Sequence, residues 1–114
     1  MHNVITTDIA YCQELLKDKQ LVAIPTETVY GLAANAFDTD AVSQIFSMKG
    51  RPRFNPLIVH IHDAGQLKDL AKDIPEAAMK LAKAFWPGSL TLILPKQPNV
   101  PDIITAGKNT VGIR

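Results

Sequence analysis

An α/β fold is the expectation for this chain, and three observations carry it. Short apolar runs suited to strands, residues 21–24, 57–61, 89–94 and 110–114, are spread along the whole length. Between them lie segments whose apolar residues recur at the 3.6-residue helical period. Cap and turn residues punctuate the boundaries, so strands and helices are interleaved rather than segregated, as an α/β chain requires.

In chain order, residues 8–19 read as a first helix. Ile9, Cys12, Leu15 and Leu16 share a face, and Thr7 or Asp8 can cap it. Leu21-Val22-Ala23-Ile24 is a strand stopped by Pro25, and residues 26–36 read as a polar loop broken by Gly31. Residues 39–48 form a second helix with Ala41, Val42, Ile45 and Phe46 as its apolar face, capped by Asp38 or Thr39. Gly50 and Pro52 end it, glycine just past the last turn and proline soon after. Residues 57–61 are a β-branched strand, and Asp63 caps a short helix containing Leu67, Leu70 and Ala71. Pro75 starts a further helix whose Ala78, Leu81, Ala82 and Phe85 make an apolar face, ended by Trp86-Pro87-Gly88. Residues 89–94 alternate polar and apolar only at first and read as a core strand. Residues 95–107 are loop, and a last strand starts at Thr110.

The 114 residues suffice for one domain, which at this size buries roughly 60–70% of its unfolded surface. Twelve Lys and Arg against eleven Asp and Glu leave a net charge of +1, which argues against binding nucleic acid through charge alone and leaves room only for a local basic patch. Cys12 is the single cysteine, so neither an intrachain disulfide nor a cysteine zinc site is expected. No basic segment and apolar run mark a signal peptide, and no stretch approaches the ~20 apolar residues of a membrane span. A soluble, cytoplasmic protein is the expectation.

Three segments carry polar groups where chemistry is done. In Ile24-Pro25-Thr26-Glu27-Thr28-Val29-Tyr30-Gly31-Leu32 a strand ends directly in hydroxyls, a phenol and a glycine. Ligands in open α/β sheets sit at such strand ends, though a turn whose threonines bond their own backbone reads equally well. In Met48-Lys49-Gly50-Arg51-Pro52-Arg53-Phe54-Asn55-Pro56, three cations fall within five residues on a proline-stiffened loop. Arg51 can grip a phosphate through its fork and Lys49 as a point charge. The alternative is a helix end, with Lys49 favouring the dipole and glycine and proline stopping the turn. No Walker loop is present. His60-Ile61-His62 puts two imidazoles on one strand face, but no third ligand is near in sequence, so a polar strand face is preferred to a metal site.

Taken together, Pro-Thr-Glu-Thr-Val-Tyr-Gly-Leu, then Lys49-Gly50-Arg51-Pro52, then Asn55-Pro56-Leu57 and the His60 strand resemble the YrdC family. Trp86-Pro87-Gly88-Ser89-Leu90-Thr91 and Thr110-Val111-Gly112-Ile113-Arg114 are similar to two further signatures of that family, in order and at family spacing. The resemblance implies a twisted mixed sheet with packed helices and a concave basic face. It implies a nucleotidyltransferase that makes threonylcarbamoyl-adenylate from L-threonine, bicarbonate and ATP, releasing pyrophosphate. Magnesium would enter with the nucleotide phosphates. The product would pass to downstream proteins that modify adenosine in tRNA. Residue by residue, Lys49 and Arg51 match the pair that holds the ATP phosphates and carries catalysis, and Asn55 and Thr110 match further nucleotide contacts. Thr28, His60 and Arg114 match contacts to threonine.

The family fold continues past this arginine to a Ser-x-Asn motif, so residues 1–114 are expected to be an incomplete YrdC-like domain, with little adenylate synthesis and a tendency to self-associate when alone. Two other readings remain: a module that binds tRNA or double-stranded RNA without catalysis, and a carbamoyl-adenylate chemistry like that of hydrogenase maturation proteins. The latter has no acylphosphatase-like or zinc-finger segment upstream to support it.

Overall fold

The computed structural model describes residues 5–25 and 30–114. Asp8 caps the first helix, α1 (Ile9–Lys17), its carboxylate accepting from the Tyr11 N–H at 3.1 Å. The helix lies beside strand β1 (Val22–Pro25) but buries none of its residues, and Ile9 stays exposed.

β1 pairs antiparallel with β2 (Tyr30–Ala33), Val22 opposite Ala33 and Pro25 opposite Tyr30. This corrects the loop expected over residues 26–36. Gly31 weakens a strand locally, but the Ala23, Ile24 and Pro25 backbone lies alongside and supplies the hydrogen-bonding partners that local sequence does not reveal. The link between the two strands, residues 26–29 with Thr28, lies outside the described residues.

α2 (Thr39–Lys49) follows its sequence reading closely. Asp38 accepts from the N–H groups of Asp40 and Ala41 at 3.1 and 3.2 Å, and Ala41, Val42, Ile45 and Phe46 are buried. Gly50 takes the left-handed conformation, φ 61°, which costs a glycine nothing. The Arg51 N–H then reaches back to the Phe46 carbonyl at 3.0 Å, satisfying one of the orphan acceptors of the last turn.

The second sheet is mixed. Strand β3 (Ile58–Val59) runs parallel to β5 (Thr110–Ile113), and β4 (Leu92–Pro95) runs antiparallel to β5 on its other side. Between β3 and β4 come a 3₁₀ turn (Ala64–Gln66) with an Asp63–Gln66 capping box, then α3 (Leu67–Leu70) and α4 (Glu76–Phe85). A short α5 (Asp102–Thr105) precedes β5.

The core gathers on one face of this sheet. Val59, Leu92, Leu94, Val111 and Ile113 pack with Val42 and Phe46 of α2, Leu67 and Leu70 of α3, Ala78 and Ala82 of α4, and Ile104 of α5. Two expectations change here. On α4 only Ala78 and Ala82 are buried, while Leu81 and Phe85 are 42% and 59% exposed. Residues 89–94 begin their strand at Leu92, and Ile93 is 72% exposed, so β4 is covered on one side rather than both. An apolar run identifies a strand but not how many of its faces find cover.

Candidate functional site

Successive residues of a strand point to opposite faces. Val111 and Ile113 fill the core, so Thr110, Gly112 and the following Arg114 belong to the opposite face. On β3, Val59 is buried and Ile58 and His60 are exposed. The Arg114 N–H donates to the Val59 carbonyl at 2.9 Å, and the Ile61 N–H donates to the Arg114 carbonyl at 3.1 Å. These two bonds bracket His60. His60 and Arg114 therefore stand side by side on one face of the sheet, as neighbours across two parallel strands.

The antiparallel register continues the row on the other side. Leu92 faces Ile113, so Thr91 falls opposite Arg114, and the Arg114 Nε donates to Thr91 Oγ1 at 3.0 Å. The sequence reading did not single out Thr91, although it closes the Trp86-Pro87-Gly88-Ser89-Leu90-Thr91 signature. A side-chain partner from β4 becomes visible only once β4 and β5 are in register. Thr110 occupies the same face at the start of β5, about 13 Å along the strand from Arg114 at 3.3 Å per residue.

Beside His60 a cavity of about 280 Å³ opens between β3, an edge strand among the described residues, and the β1–β2 pair. Ile24, Leu32, Ile45, Ile58 and Ile104 contribute to its wall, and His60 is the polar side chain among its lining residues. Of the residues expected to bind threonine or nucleotide and described in the structure, His60 alone lines this cavity.

The cationic loop leaves the end of α2 and runs into β3. Its conformation is held from within. The Arg51 guanidinium donates from Nη2 to the Pro56 carbonyl at 2.8 Å and from Nε to the Asn55 carbonyl at 3.4 Å. The Asn55 N–H closes a turn onto the Pro52 carbonyl at 3.1 Å, and the Leu57 N–H ties the loop to α5 through the Ile104 carbonyl at 2.8 Å. Arg53 turns back on α2, with Nη2 2.9 Å from Ser43 Oγ and its guanidinium 5.5 Å from the centre of the Phe46 ring. Lys49 is exposed at the helix end, where the carbonyl dipoles favour a cation.

The structure thus places His60, Arg114 and Thr110 on one sheet face, with His60 beside Arg114, and puts Lys49 at the end of α2 and Arg51 and Asn55 on the loop that feeds β3. Thr28 lies outside the described residues. Among the described residues, no three His, Cys, Asp or Glu side chains cluster as a metal site, and no helix is long and apolar enough to cross a membrane.

Comparison with known proteins identifies the family of this chain. The Sua5/YciO/YrdC family model, described as telomere recombination, matches residues 14–114. The threonylcarbamoyl-AMP synthase of Pyrococcus abyssi is 60% identical over 99 residues, covering 87% of this chain and 29% of that protein. The Bacillus subtilis threonylcarbamoyl-AMP synthase is 57% identical over 107 residues, covering 93% of this chain and 31% of that protein. The chain therefore spans under a third of the length of these two relatives. Among solved structures, Pyrococcus abyssi Sua5 complexed with L-threonine superposes with a TM-score of 0.89 at 57% identity, over 91% of this chain and 31% of that one. With the family match running from residue 14 to residue 114, this chain belongs to the Sua5/YciO/YrdC family.

Proposed function

We propose that this chain supplies the threonine-binding and phosphate-binding part of a threonylcarbamoyl-AMP synthase, which joins L-threonine, bicarbonate and ATP and releases pyrophosphate. The observation that carries the reading is the side-by-side placement of His60 and Arg114 across β3 and β5. An arginine fork matches a carboxylate, and an imidazole beside it suits a small hydroxylated amino acid. The relative solved with L-threonine supports that choice of ligand. Carboxylation of the threonine amine gives a carbamate, whose oxygen attacks the α-phosphorus of ATP as pyrophosphate leaves. Lys49 and Arg51 would hold the phosphates and offset the charge that builds up on the departing group, while Asn55 and Thr110 would contact the nucleoside and Thr28 the threonine. Magnesium would come bound to the phosphates, as small hard cations do. The product would serve tRNA modification in the cytoplasm, through downstream proteins.

The RNA-binding reading is less well supported. Arg53 is engaged by Ser43 and the Phe46 ring of α2, and the net charge of +1 gives no overall attraction to nucleic acid.

The test is pyrophosphate release that depends on both L-threonine and bicarbonate. His60→Ala and Arg114→Ala should each weaken L-threonine binding at least about tenfold while leaving ATP binding near that of the unmodified protein. Unchanged threonine binding in both variants would overturn the reading. Stoichiometric zinc in the purified protein, lost on His60→Ala, would assign His60 to a metal instead.

A further inference from the structure

We propose that Thr91 is a positioning residue that aims the Arg114 guanidinium at the substrate carboxylate. The inference rests on the threonine-binding role given to Arg114 above and extends it to a residue on another strand.

An arginine side chain has four rotatable bonds, and one that must meet a carboxylate loses rotational freedom on binding. A contact that sets its orientation beforehand lowers that cost. The Thr91 hydroxyl accepts from Arg114 Nε at 3.0 Å, in a part-buried setting. Nε is the inner nitrogen of the guanidinium, so a bond there sets the tilt of the plane about the side chain's long axis.

Thr91 is itself held in place. Its backbone lies one residue before β4, opposite Arg114. The preceding turn is closed by Trp86 Nε1, which donates to the Leu90 carbonyl at 2.8 Å. The Thr91 methyl stands 3.4 Å from where a Cβ on Gly112 would be, so the bare glycine on the central strand leaves the methyl its space. A β-branched side chain has few χ1 choices. With the methyl seated over Gly112, the hydroxyl is directed at Arg114. The row of Thr91, Arg114 and His60 therefore spans all three strands, with its outer member orienting its central one.

The experiment uses two substitutions that separate hydroxyl from methyl. Thr91→Val keeps the branched shape and removes the acceptor, whereas Thr91→Ser keeps the acceptor and removes the methyl. With the substitutions made in a full-length synthase, L-threonine and ATP binding are measured separately by titration calorimetry, and KM and kcat in the pyrophosphate assay. Thr91→Val is expected to weaken L-threonine binding and raise its KM about tenfold, with ATP binding unchanged. Thr91→Ser is expected to stay within about threefold of the unmodified protein. In an Arg114→Ala background, Thr91→Val should add no further loss, since Thr91 acts through its bond to Arg114. Unmodified threonine affinity in Thr91→Val would overturn the proposal, as would an equal loss in Thr91→Ser, which would assign the effect to methyl packing. If Arg114→Ala weakens threonine binding and Thr91→Val does not, the positioning role alone fails. If Arg114→Ala has no effect, the threonine-binding reading fails with it.

Discussion

Replacing Arg51 by alanine removes a cation and, in the same step, the two hydrogen bonds that close the loop between α2 and β3. The Nη2 bond to the Pro56 carbonyl at 2.8 Å is well formed, while the Nε bond to the Asn55 carbonyl at 3.4 Å lies beyond the usual range and contributes little. Hydrogen bonds from charged groups stabilise by about 1.5–3 kcal/mol where water is excluded. The stronger of the two is solvent-exposed, so we expect Arg51→Ala to cost about 1 kcal/mol, the middle of the range for ordinary hydrogen bonds. For 114 residues that lowers Tm by roughly 4 °C. Lys49 is exposed, and Lys49→Ala should change stability by less than about 0.5 kcal/mol. Both substitutions should weaken ATP binding at least about tenfold, since each removes a charge-assisted phosphate contact. Arg51→Lys keeps the charge without the fork, so it should lose stability much as alanine does and retain part of the ATP affinity. Thermal unfolding followed by far-UV circular dichroism, together with ATP titration, separates the two effects. An unchanged Tm in Arg51→Ala, or an equal drop in Lys49→Ala, would refute the structural role of the guanidinium. Undiminished ATP binding in both alanine variants would refute the phosphate assignment.

Ile113 is fully buried on the central strand, and Ile113→Ala should cost about 2–5 kcal/mol through lost transfer energy and the cavity left behind; urea unfolding measures it, and a cost below about 1 kcal/mol would mean the site collapses freely. At Gly88 an added Cβ would lie 2.6 Å from the Phe85 carbonyl oxygen, a backbone atom that cannot swing aside. Gly88→Ala should therefore destabilise by about 1–3 kcal/mol, seen as a lowered Tm, and a Tm equal to that of the unmodified protein would contradict that close approach. Any RNA binding should come from the patch of Lys49, Arg51 and Arg53 and fall steeply as salt rises; tight binding insensitive to salt, measured by filter retention, would contradict this.

Much of the local structure was legible before any fold was known. The span of α2, its Asp38 cap, its buried face and the Gly50 stop depend on residues close along the chain, and helix period and cap chemistry are local properties. The same holds for the Asp63 cap and for Pro75 at the head of α4. The identities of the residues assigned to the site came from the order and spacing of the signatures, and from the resemblance those carry. Other features needed partners distant in sequence. β2 is a strand because β1 lies alongside it, a pairing that the composition of Tyr30–Ala33 does not announce. The period of α4 marks Leu81 and Phe85 as apolar-face residues, yet only the packing of Ala78 and Ala82 shows how much of that face the core covers. The run of residues 89–94 marks a strand, and the single covered face that leaves Ile93 in solvent follows from what packs beside the sheet. The row of His60, Arg114 and Thr91 draws on three segments separated by 23 to 31 residues, the Arg114 Nε to Thr91 bond itself spanning 23. Hydrophobic pattern and capping act over one or two turns of chain, whereas register is set by the whole sheet and decides which side chains meet.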